Sequence, residues 1–184
     1  MEVRVDCDDS SDVIDEENLA KVINAVVKAV KKCEPTIAPL ARKYRQTSVK
    51  SRQSHFKHQI REHHRTWLTG HCPQRLLSYC VDLLTECAVS DVDVDSAAVG
   101  DSIILYCRVT TVEALSDLKQ MIDSGQLSQL FSGMYTASAN TGLMWGLFGN
   151  IYSWFAGTAI TATVTLSTEK YSRMFEPLRG KFFQ

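Results

Sequence analysis

Five histidines, His55, His58, His63, His64 and His71, and the adjacent Cys72 crowd into residues 55–72, the densest gathering of metal-capable and nucleophilic side chains in the chain. His55 and His58 stand three apart and would share one face of a helix, as two ligands do. Their spacings match no standard zinc pattern and no second cysteine pair follows, so no metal site is expected. The ordinary arrangement is a solvated basic face with one or two histidines packed against neighbours. Cys72 beside His71 is a weak nucleophile candidate, because adjacency in sequence does not bring the ring to the thiol proton. Asp91, Asp93 and Asp95 alternate, which places three carboxylates on one face of a strand. Such a row could gather a cation, but solvent-facing acids opposite buried Val92 and Val94 are the commoner case. No Gly-rich phosphate loop, Gly-x-Ser-x-Gly elbow or His-Glu-x-x-His sequence occurs. The expectation is a non-enzymatic protein with no cofactor.

Two other stretches suit recognition. Residues 41–75 hold nine bases against Glu62 alone, while residues 1–19 hold eight acids against Arg4 alone. Arg42, Lys43, Arg45, Lys57, Arg61 and Arg65 are the candidate electrostatic contacts of this basic stretch. Phosphates of a nucleic acid would meet it with salt-dependent affinity, but a whole-chain pI near 6.5 speaks against that partner. Anionic lipid headgroups would suit the same face. Pairing with the acidic residues 1–19 inside the chain is the simplest account. The second stretch, residues 142–159, carries Trp145, Phe148, Tyr152, Trp154 and Phe155 in a neighbourhood, residues 124–168, that has no charge at all. Four glycines and Asn150 make it a poor membrane span. Three readings compete: a core hairpin or helix covering the sheet, an exposed patch for a protein partner or a homo-oligomer, and a segment dipping into a bilayer with its aromatics at headgroup level.

The elements that must position these residues are legible from their periods. Leu19, Val22, Ile23, Val26, Val27 and Val30 form one apolar stripe from Asp15 onward, with Lys28, Lys31 and Lys32 at the end where they suit the helix dipole. A second helix is expected over Ile37–Arg45, and a third on Phe56, Ile60, His63 or His64, and Trp67. Residues 46–54 read equally as solvated helix or linker. Pro73 opens a fourth helix whose stripe is Leu76, Leu77, Cys80, Val81, Leu84 and Cys87. Val92–Asp95 alternates as a strand that pairs with Ile103–Val109 across a loop at 96–101. Thr110 and Glu113 form a capping box for a helix on Val112, Leu115, Leu118 and Ile122, which Gly125 ends. Ile160, Ala162, Val164 and Leu166 alternate with threonines in a last strand, and Ser167 caps a last helix.

With 45% hydrophobic residues in 184, the chain can bury the core of about one domain. Its six cysteines show no disulfide spacing and its acidic start is no signal peptide, so a reducing, cytoplasmic location is expected, with membrane association open. The expected division is an acidic flexible lead at 1–14, a helical, basic and His-rich region at 15–72, and an α+β interaction domain at 73–184 with the apolar insertion 142–159.

Gly100, Ser102, Ile103, Glu113, Ala114, Leu115, Leu118, Ser124, Gly125, Leu127 and Phe131 follow a pattern that resembles the N-terminal domain of TRADD-type adaptors and similar modules of invertebrate innate-immunity and apoptosis proteins. The resemblance covers roughly residues 74–180. It implies an α/β sandwich, a mainly antiparallel four-stranded sheet backed by helices, working as an adaptor or scaffold in signalling, with a TRAF-type adaptor as the kind of partner. The Trp-rich insertion departs from that pattern. The alternative is a peripheral membrane protein using 142–159 together with the basic helix at 42–65.

Overall fold

The computed structural model describes residues 1–7, 16–139 and 160–166. Ten elements follow in chain order: β1 (Glu2–Cys7), α1 (Glu16–Val30), α2 (Glu34–Gln46), α3 (Lys50–Leu68), α4 (Gln74–Val89), β2 (Val92–Val99), β3 (Ile103–Val109), α5 (Val112–Asp123), α6 (Gln126–Ala139) and β4 (Ala162–Leu166). The class is α+β, as expected. The four strands form one antiparallel sheet in the order β2-β3-β1-β4. With helices between β1 and β2 and between β3 and β4, this is the split βαβ arrangement of ferredoxin-like domains.

The sheet is covered on one side. Val3 and Val5 of β1, Ile103, Leu105 and Cys107 of β3, and Ala162 and Val164 of β4 are buried, and they join the inward residues of α1, α4, α5 and α6 in one core. Their neighbours in the period of two, such as Arg4, Tyr106 and Thr165, face outward. α2 and α3 pack on one another and on α4, as a helical pair within the β1–β2 connection. A smaller cluster of Cys33, Ile37, Ala41, Ile60 and Val89 fills the space beneath that pair.

Three expectations are corrected. The acidic lead does not hold for residues 2–7, which form the inner strand β1 between β3 and β4. Charge density hid the strand: Glu2, Arg4 and Asp6 take the outward positions, and only Val3 and Val5 are needed inside. The helical region 15–72 packs on the sheet, since Leu19, Ile23, Val26 and Val27 of α1 share its core. The cap of α5 is Thr111, whose hydroxyl accepts from the Ala114 N–H at 3.1 Å. Thr110 is one residue too early, and Glu113 therefore falls inside the first turn rather than at the reciprocal position of a capping box. Finally, β2 runs on to Val99, so the loop to β3 is only residues 100–102.

Other local signals translate directly. Residues 47–49 form a break and α3 starts at Lys50. Gly125 adopts φ +74°, and its N–H bonds the Ile122 carbonyl to close α5. The stripe of α4 is buried along its whole length.

Candidate functional site

The helical pair α2–α3 does not close flush on the rest of the domain. Between the end of α1, α2, the end of α4 and the start of β2 lies a cleft of about 400 Å3. Its floor is apolar: Val27 and Val30 from α1, Ile37 and Ala41 from α2, Leu84 from α4 and Val92 from β2. Its rim carries seven charges, Lys31, Glu34, Arg45, Asp91, Asp93, Asp95 and Arg108. A pocket that combines an apolar floor with a few convergent polar groups is the usual form of a small binding site.

Local backbone features set that rim. Asp91 takes φ +59° in the turn from α4 to β2, a left-handed conformation that aspartate tolerates better than most residues. Asp95 is the extra residue of a β-bulge, since Val94 pairs with Cys107 and Ser96 with Tyr106. A bulge re-aims its side chain, and here Val94 and Asp95 both line the cleft. The three aspartates expected on one strand face are thus spread over a turn, a strand position and a bulge.

The ion pairs are specific. Arg45 reaches Asp91 at 3.0 Å and also donates to the Ala88 carbonyl at 3.0 Å. Arg108 grips Asp95 with two bonds, at 2.5 and 3.3 Å, and Lys31 adds a 3.7 Å contact. The Arg108 hydrogen bond holds the Asp95 carboxyl below its ordinary range. Asp93 moves the other way, raised by burial first and by Glu34 second.

His64 forms part of the wall. The side chain is 1% exposed, and its Nδ1 lies 3.0 Å from the Thr85 hydroxyl of α4. Burial, with His63 adding to it, pushes its pKa down to about 4, so the ring is neutral at pH 7. Cys87 also lines the cleft, and burial raises its thiol far above the usual range. It is therefore protonated and inert.

The sequence candidates are distributed as follows. Trp145, Phe148, Tyr152, Trp154 and Phe155 lie outside the described residues, as does the segment 142–159 that carries them. Arg45, Lys57 and Arg61 are engaged within the fold: Lys57 meets Glu86 at 2.6 Å and Arg61 meets Asp82 at 2.9 Å. Arg65 stands 3.6 Å from Glu62 on its own helix. Arg42 and Lys43 are exposed on α2. Among the described residues the partners of Arg45, Lys57 and Arg61 are thus acids of α4 and of the turn after it, rather than the described acids of residues 1–19. The histidines do not converge: His55, His58 and His71 are exposed, and among the described residues no three His, Cys, Asp or Glu side chains are grouped to hold a metal ion. Glu34 and Arg108 were not distinguishable beforehand, because their relevance comes from α2, β2 and β3 lining one cleft. Among the described residues no helix is long and apolar enough to cross a membrane. Comparisons with family models, with curated proteins and with solved structures gave no match to this chain.

Proposed function

We propose that this chain is a non-enzymatic protein-interaction module of the adaptor or scaffold kind. The cleft carries that reading. Its titratable groups are suited to holding a ligand rather than transforming one: His64 is neutral and hydrogen-bonded, Cys87 is protonated, and Asp91 and Asp95 are tied to Arg45 and Arg108. An apolar floor inside a ring of charges of both signs repeats, in small, the apolar core and polar rim of protein interfaces. The likeness of residues 74–180 to TRADD N-terminal-type modules supports a place in apoptosis or innate-immune signalling, with a TRAF-type adaptor as one partner to try.

Ala38 is exposed yet lines the cleft, so Ala38→Trp would fill it without touching the core. Proteins labelled in cells by a proximity enzyme fused to the wild-type chain should include a set missing with Ala38→Trp. At least one of them, purified, should bind the wild type directly and the variant far more weakly. Identical partner sets, with equal direct affinities, would rule the cleft out as the interaction site. Binding to anionic vesicles that survives high salt would favour the membrane alternative.

A further inference from the structure

Resting on that interaction reading, we infer that the cleft recognises a short protein segment in which a large apolar side chain stands beside a lysine or arginine. The apolar side chain fills the floor between α1, α2 and α4, and the cation sits at the rim between Glu34 and Asp93.

The rim decides the charge. It holds four carboxylates and three bases. Arg45 is committed to Asp91, while Arg108 and Lys31 converge on Asp95. Glu34 and Asp93 remain, and among the described residues neither has a cation within ion-pair distance. Burial and then Glu34 raise the pKa of the Asp93 carboxyl, and Arg108, from beyond ion-pair distance, offsets this in part. One added positive charge there balances the rim, whereas an anion would meet two unpaired carboxylates and no free base.

The floor decides the remainder of the ligand. A volume of about 400 Å3 is small for a ligand site and suits one anchoring side chain rather than a helix laid along a groove. One imidazole stands in its wall. His64 spends Nδ1 on Thr85, and its Nε2 has no partner among the described residues. Among the described residues no buried side-chain nitrogen or oxygen is left unpaired, and the His64 ring lines the cleft. Because the ring is neutral, His64 adds no positive charge to the cleft wall. A bare metal ion fits poorly, since hard cations take six or more oxygen ligands and two carboxylates do not supply them.

The test is selection of a displayed random twelve-residue peptide library on the full chain. Winning peptides should carry Lys or Arg next to a large apolar residue and should be released by Ala38→Trp. Measured by fluorescence anisotropy, the affinity of the best peptide should fall about tenfold or more with Glu34→Gln plus Asp93→Asn, as expected for losing charged hydrogen-bond partners. These acids are exposed, and unchanged thermal melting would show that the fold survives. Peptides that need an open cleft but lack a basic residue, or bind the double variant equally well, would overturn the charge assignment and leave the interaction reading standing. Peptides indifferent to Ala38→Trp would overturn both.

Discussion

The side chain of Asn24 bonds the backbone of Ala97 twice, donating to its carbonyl and accepting from its N–H, both at 2.8 Å. Ala97 lies on β2, an outer strand of the sheet, and Asn24 lies on α1. One amide thus occupies the donor and acceptor that an outer strand would otherwise offer to another chain. It also fastens α1 to the sheet, which seats Val27 and Val30 in the cleft wall. Asn24→Ala should cost about 1–3 kcal/mol by chemical denaturation, two modest hydrogen bonds in sum. It should also raise self-association, read by light scattering. A variant as stable and as monodisperse as the wild type would show that the pair contributes nothing.

His64 makes the domain sensitive to mild acid. Its folded pKa is lowered from 6.5 to about 4, so the unfolded chain takes up a proton that the native ring refuses. The stabilisation is complete above the unfolded value of 6.5 and is lost as the pH falls toward 4. Between pH 7 and pH 5 this amounts to about 2 kcal/mol. His64→Gln keeps a polar group near Thr85 without the titration, so its denaturation midpoint should fall less over that interval. Equal losses in the two proteins would remove His64 as the cause.

The two threonines before α5 separate cleanly. Thr111 accepts the Ala114 N–H, so Thr111→Ala should cost about 1 kcal/mol. Thr110→Ala should leave the thermal midpoint almost unchanged. The reverse order would restore the cap to Thr110.

Cys72 and Cys80 are free thiols whose sulfurs stand 3.6 Å apart. The hydrogen bond between them lowers the Cys72 pKa and raises that of Cys80, so Cys72 supplies the attacking thiolate. With diamide as oxidant, the two thiols should lose two protons and two electrons and join, while diamide is reduced to the hydrazine. Peptide mapping after denaturation and alkylation should find a Cys72–Cys80 crosslink, absent from Cys80→Ser. Full alkylation of both cysteines after treatment would mean that the backbone holds the sulfurs too rigidly to close.

What the sequence determined by itself was every element whose pattern is local and repeated. The stripes of α1 and α4, the apolar run of β3 and the glycine stop of α5 each satisfy one period over several turns or residues. The α+β class follows from their order. What only the tertiary structure decided depends on partners distant in the chain. β1 is short and rich in charge, and it becomes a strand because β3 and β4 flank it and its two valines meet α-helical neighbours. The bases of α3 look like an open surface until α4 places Asp82 and Glu86 against them. His64 gave no sign in its spacing that it, rather than His63, would turn inward. The cleft is the furthest from the local pattern, since six elements contribute to it and its charge balance rests on which acids find a cation. Helical and strand periods report which face a residue takes; the partner it meets there is set by how the faces pack.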